Sequence, residues 1–162
     1  MTTQEKSLHM TVLMTPDMAN FAGKVHGGAL LKLLDQVAYS CAARYCGSYV
    51  VTAALDMVFF KEPIQVGELV TFKAHVNYTG RTSLEVGIKV IAEDITSRTK
   101  RHTTSCYFTM VAKDEQGRSI PVPPLELATD LERRRHRAAQ IRRTLRKETA
   151  DKIKMLHENG EI

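Results

Sequence analysis

The sequence predicts an α+β domain in which a curved antiparallel sheet wraps around one long central helix, with a C-terminal helix added. Three observations carry that reading. A helical stretch after a glycine-rich loop is apolar over almost its whole circumference, four long strand-like runs follow it in succession, and the last thirty or so residues form a separate, basic helical pattern. The chain has 162 residues, 43% hydrophobic and 25% charged, which suits one globular domain and leaves no room for a second full one. The organisation expected is a main domain over residues 1–125 and a basic helical extension over 126–162.

The elements follow in order. Leu8, Met10, Val12 and Met14 alternate within LHMTVLM, a first strand over residues 8–14 that Thr15 and Pro16 end. A loop with three glycines, Asn20-Phe-Ala-Gly23-Lys-Val-His26-Gly27-Gly28, leads into ALLKLLDQVAYSCAARYC. A helix apolar all round is a buried helix, and Gly47 and Ser48 stop it. Runs at 50–60, 69–78, 82–95 and 102–112 read as strands. Val70, Phe72, Ala74, Val76 and Tyr78 alternate, as do Leu84, Val86, Ile88 and Val90, so each strand buries one face. Short links with turn chemistry imply an antiparallel meander of these four. Pro121, Pro123 and Pro124 make IPVPPLEL an extended exit. The final helix runs from about Thr129 to His157, with Leu131, Ala138, Ile141, Leu145, Ile153 and Leu156 opposite a face of arginines.

Charge and cysteine usage narrow the function classes. The net charge is +5, but residues 130–158 carry ten Lys/Arg against five Asp/Glu, and the other residues carry thirteen of each sign. The charge outside that tail helix therefore sums to zero, and the basic character belongs to the tail. The tail has no second short helix for a helix-turn-helix and no aromatic residue from 126 onward to stack on bases, so nucleic acid is disfavoured as a partner. No apolar run approaches a membrane span, and Met1–Lys6 is polar, so we expect an unexported protein with no membrane partner. Cys41, Cys46 and Cys106 lie in apolar surroundings without ligand spacing, which predicts free thiols in a reducing cytoplasm and no metal site.

Two constellations bear chemistry. Asp35 sits mid-helix between Leu31, Leu34, Val37 and Ala38, where burying an unpaired carboxylate is costly; it is either satisfied by neighbouring hydroxyl or backbone groups or is a general base or nucleophile. His26-Gly27-Gly28 opens the same helix. Paired glycines allow close approach to the backbone, and the first N–H groups of a helix lack internal partners, which suits an oxyanion; they also suit a plain tight turn. Gly27 and Asp35 are about 12 Å apart along a helix axis, too far to meet one carbonyl within a subunit. Since one sheet can cover only part of an apolar helix, we expect a homodimer of antiparallel central helices, which brings the carboxylate of one chain beside the helix start of the other.

The stretch from Asn20 to Asp35, with Gly23, Gly27-Gly28 and Asp35, resembles the signature of hotdog-fold acyl-coenzyme A thioesterases, particularly the hexameric acyl-CoA hydrolases. Leu55-Asp56-Met-Val-Phe59-Phe60-Lys61-Glu-Pro63 through Val66-Gly67-Glu68 is similar to their second strand and turn. The resemblance spans about residues 8–125. It implies hydrolysis of an acyl-CoA thioester to a free acid and coenzyme A, in the setting of fatty acid metabolism. Asp35 would be base or nucleophile, Asn20 from the other subunit would hold water or carbonyl, and Gly27 and Gly28 would provide the oxyanion amides. His26 and Tyr39 would border the cleft, and Met57 and Phe59 would line the acyl channel between helix and sheet. Lys61, ending a strand, and the turn residues Arg81, Thr82 and Ser83 would meet the phosphates. No cofactor is implied, coenzyme A being part of substrate and product. The catalytic unit would be a homodimer and the assembly a trimer of dimers. The rivals are an acyl-CoA sensor without turnover and a hotdog hydratase or dehydratase using His26.

Overall fold

The structure, a computed structural model, describes residues 4–158; residues 1–3 of the polar start and 159–162 of the tail lie outside the described residues. The chain divides into two compact units, one ending at Leu125 and one beginning at Glu126.

The first unit holds strands β1 (Ser7–Leu13), β2 (Tyr49–Leu55), β3 (Leu69–Thr79), β4 (Ser83–Glu93) and β5 (Lys100–Lys113) in one antiparallel sheet, with helix α1 (Gly27–Cys46) against its inner face. This is the hotdog arrangement. The sheet order is β1-β3-β4-β5-β2. The expected four-strand meander is therefore corrected: β3, β4 and β5 form a meander of three, and β2 joins at the far edge beside β5. The irregular connection over residues 56–68 is long enough to carry the chain across the sheet, so β2 need not pair with its successor. The strand expected over 50–60 likewise ends early, at Leu55.

Alternation puts Val70, Phe72, Ala74 and Val76 of β3, Leu84, Val86, Ile88 and Val90 of β4, and Cys106, Phe108, Met110 and Ala112 of β5 into the core. Tyr78 departs from its expected place because the β3–β4 register shifts between Val76 and Tyr78, so Asn77 is buried and Tyr78 only half so. From α1, Leu30, Leu34, Val37, Ala38, Cys41, Ala42 and Tyr45 pack onto that surface. Gly47, at φ 65°, caps the helix in the left-handed conformation a side chain disfavours. The exit strand is held by Val122 N–H to the Arg81 carbonyl (2.9 Å) and by the Tyr45 hydroxyl to the Pro123 carbonyl (2.8 Å).

The helix is not wholly buried by its own chain. Asp35, Gln36 and Tyr39 lie on an exposed face, because the single sheet covers only the opposite side. The second unit is one helix, α2 (Asp130–Glu158). Thr129 and Glu132 form a capping box at its start, Thr129 Oγ1 accepting from Glu132 N–H (3.1 Å) and Glu132 Oε2 from Thr129 N–H (3.2 Å). Among the described residues no helix is long and apolar enough to cross a membrane.

Candidate active site

Two clefts flank α1 within the first unit, one at its start and one beside its middle. The first is lined by Asn20, Lys24, Val25, Gly27 and Leu30 on one side and by Phe60, Glu62, Pro63, Ile64, Thr103 and Thr104 on the other. Its rim is a tight loop. Asn20 Oδ1 accepts the N–H groups of Ala22 (2.9 Å) and Lys24 (3.0 Å), and Asn20 N–H donates to the Lys24 carbonyl (2.6 Å). Gly23 makes this reversal possible at φ 76°. Because the side-chain oxygen of Asn20 is spent on the loop, the amide Nδ2 is its remaining polar end, a donor suited to a carbonyl oxygen.

His26 is the N-cap of α1. Its Nδ1 accepts the N–H of Gly28 at 2.8 Å, so that amide is already engaged. The expectation that both glycine amides stand open is corrected on this point. A Cβ on Gly28 would lie 3.0 Å from His26 Nδ1, while a Cβ on Gly27 would meet only Phe60, at 3.8 Å.

The second cleft, about 530 Å³, is formed by Asp35, Gln36, Tyr39 and Ser40 of α1, Met10 of β1, and Tyr49, Val50, Val51 and Thr52 of β2. In the single chain Asp35 is exposed here, because its own sheet leaves open the face of α1 that is expected to meet a second copy. It is not unpartnered: Thr52 Oγ1 donates to Asp35 Oδ1 at 2.6 Å. A β-bulge follows immediately, where the β2–β5 register shifts between Thr52 and Ala54. Thr52 was invisible in the sequence, where a threonine in a strand is an ordinary β-former. Tyr39 shares the cleft, its ring 6.2 Å from that of Tyr49 between centroids.

The remaining candidates sit elsewhere. Met57 and Phe59 are 77% and 60% exposed and border no channel between helix and sheet, because the strand that would have pointed them inward ends at Leu55. Lys61 lies in the irregular 56–68 segment rather than at a strand end. Arg81 is exposed in the β3–β4 turn, with Thr82 and Ser83 half-buried, and none of the three lines either cleft. Among the described residues no group of three or more His, Cys, Asp or Glu is placed to hold a metal ion. Burial pushes the thiols of Cys41 and Cys106 up to about 12 and that of Cys46 to about 11, and all three are free.

The sequence model of the thioesterase superfamily matches residues 22–99, a span that takes in His26, both helix glycines, Asp35 and Thr52. The protein VdlD of Helicobacter pylori is 51% identical over 145 residues, covering 90% of this chain and 83% of its own length. A crystal structure of an apo-hexameric acyl-CoA thioesterase superimposes with a TM-score of 0.86 at 35% identity, over 91% of this chain and 94% of that one. An acyl-CoA hydrolase from Staphylococcus aureus, solved with butyryl coenzyme A, coenzyme A and coenzyme A disulfide, gives a TM-score of 0.86 at 28% identity, over 96% and 94%. Further structures of that hydrolase carry an asparagine, an aspartate or a threonine changed to alanine.

Proposed function

The chain belongs to the thioesterase superfamily, and we propose that it hydrolyses acyl-CoA thioesters to a free carboxylic acid and coenzyme A. The observation that carries this is the Asp35–Thr52 pair, a carboxylate fixed by a hydroxyl in an open cleft on a helix face its own sheet does not cover. The three residue types altered in the Staphylococcus aureus hydrolase are those of Asn20, Asp35 and Thr52.

In this reading Asp35 is the general base. It takes a proton from water as the water oxygen bonds to the thioester carbonyl carbon; the tetrahedral oxyanion then expels the coenzyme A thiolate, which recovers the proton from Asp35. Thr52 holds the carboxylate so that one oxygen faces the water. Gly27 N–H and Asn20 Nδ2 meet the oxyanion, and Gly28 N–H joins them only if the His26 imidazole moves aside. Neither step needs a metal or a cofactor, since the thiolate is a good leaving group and coenzyme A enters with the substrate.

The two halves of this machinery occupy different clefts of one protomer, and a second copy is what unites them. Antiparallel α1 helices across a two-fold axis set Asp35 and Thr52 of one chain against the Asn20–Gly27 rim of the other. The exposed Tyr39, Tyr49, Met57 and Phe59 supply an apolar surface for that contact, so Met57 and Phe59 reach the acyl chain across the interface. Three such dimers make a hexamer. Lys61 and the Arg81–Ser83 turn are the cations and hydroxyls we assign to the coenzyme A phosphates. Three free thiols, two buried and one half-buried, fit a reducing cytoplasm. The hydratase reading is weaker, because His26 Nδ1 is committed to capping α1.

The decisive experiment is release of thiol from acyl-CoA esters of graded chain length, run beside Asp35→Ala. Turnover that vanishes with Asp35 supports the assignment; bound acyl-CoA that is never cleaved by the wild type favours a sensor.

A further inference from the structure

The connection between β2 and β3 is irregular, yet it supplies Phe60, Glu62, Pro63 and Ile64 to the cleft at the start of α1. Irregular backbone keeps one shape only where its polar groups are tied down. Two side chains of β5 do this. Thr104, itself buried, donates Oγ1–H to the Phe59 carbonyl at 2.8 Å. Arg101 grips more widely: Nη2 donates to the Pro63 carbonyl (2.6 Å) and to Glu68 Oε2 (2.9 Å), Nη1 donates to Glu68 Oε1, and Nε pairs with Glu62 (3.0 Å). Glu68 is 5% exposed and also accepts the N–H of Gln65 at 2.7 Å.

The contacts continue towards the helix. Val25 N–H donates to the Ile64 carbonyl (2.8 Å), Lys24 Nζ donates to Gln65 Oε1 (2.8 Å), and Lys24 N–H donates to Asn20 Oδ1 (3.0 Å). An unbroken path therefore runs from the guanidinium of Arg101 to Asn20 and to the residue before the His26 cap.

We propose that Arg101 is a positioning residue for thioester hydrolysis, holding the Phe59–Glu68 segment, and through it the Asn20–His26 loop, in the geometry that receives the thioester carbonyl. This rests on the hydrolase reading above. Arg101 touches no reacting atom; it acts through Pro63, Glu68 and the loop they hold. A merely structural ion pair behaves differently on substitution. Removing one partner of a buried pair strands a charge, whereas neutralising both sides together restores most of the stability. A positioning role is not restored that way, because the fork onto the Pro63 carbonyl is still gone.

The test compares Arg101→Met with Arg101→Met/Glu68→Gln, in which glutamine still accepts from Gln65 N–H. The double variant is expected to regain most of the melting temperature lost by the single one, yet to keep a kcat lowered roughly tenfold to a hundredfold with KM changed far less. Amide hydrogen exchange over residues 58–65 is expected to stay about tenfold faster than in the wild type. Arg101→Lys, which keeps the charge facing Glu68 but not the fork, is expected to fold normally and recover only part of kcat; it carries the comparison if the double variant does not fold. Wild-type kcat and wild-type exchange in the double variant, or full kcat in Arg101→Lys, would overturn the proposal. Absence of thiol release by the wild type would sink the hydrolase reading instead, while the exchange comparison would still report whether Arg101 holds the segment.

Discussion

Thr52 on β2 donates its hydroxyl hydrogen to Asp35 on α1 across 2.6 Å, and this bond joins the helix to the edge strand where both are open to solvent. A carboxylate in that bond has one oxygen fixed, on a residue that lines the cleft. Asp35→Ala is expected to fold and bind acyl-CoA while losing hydrolysis roughly a hundred- to ten-thousand-fold, the usual span for a general base. Thr52→Val, which removes only the hydroxyl, is expected to lower kcat about tenfold with little effect on KM. Steady-state thiol release checks both, and an Asp35→Ala enzyme within a few-fold of wild type would refute the role of that carboxylate.

The start of α1 makes a second prediction. A side chain at Gly28 would begin 3.0 Å from His26 Nδ1 and 3.1 Å from its Cε1, closer than ordinary contact allows. Gly28→Val should therefore push the imidazole off its cap and fill the approach to the backbone. The lost cap should cost about 1 kcal/mol of stability, visible as a lower urea midpoint. Hydrolysis should fall by more than that stability loss explains, and a normal rate in a folded Gly28→Val protein would remove the helix start from the mechanism.

These two sites differ in how far the sequence exposed them. The core was legible because alternation in β3 and β4 and the apolar stripe of α1 are periodic, and period maps directly onto face. The place of β2 was not, since pairing with β5 rather than β3 depends on the path of residues 56–68, which has no periodicity. Asp35 stood out as a charge among aliphatic residues, whereas its partner Thr52, seventeen positions later, carries no local sign of that contact. Asn20 and Gly27 could be named from the resemblance, but that Asn20 Oδ1 is spent on the loop and Gly28 N–H on His26 depends on coordinates.

Thiol chemistry offers an independent check on burial. With Cys41 and Cys106 pushed up to about 12 and Cys46 to about 11, roughly one Cys46 thiol in a thousand is ionised at pH 8, and thiolate is the reactive form. The native protein should therefore react slowly with an aromatic disulfide reagent, then release three equivalents once unfolded in guanidinium. A fast-reacting equivalent in the native protein would show that one of these thiols is not enclosed as described.

The Glu68–Arg101 pair predicts how stability responds to acid. Arg101, by its hydrogen bonds, holds the Glu68 carboxyl below its ordinary 4.5, outweighing the opposing effect of burial. A group whose folded value is depressed binds its proton more readily when unfolded, so its contribution is present above the unfolded value and is lost as pH falls through the lower, folded one. At neutral pH, Arg101→Met leaves a buried carboxylate without its partner and should cost about 3 kcal/mol. As pH falls that carboxylate takes up a proton, earlier in the variant than in the wild type because burial acts on it without Arg101 to oppose it, and the gap between the two proteins should narrow. Urea midpoints of wild type and variant, measured from about pH 6 to about pH 3, report this directly. Two curves that stay parallel across that range would mean the stability of the clamp comes from packing of the Arg101 stem and its bond to Pro63, and not from the charge on Glu68.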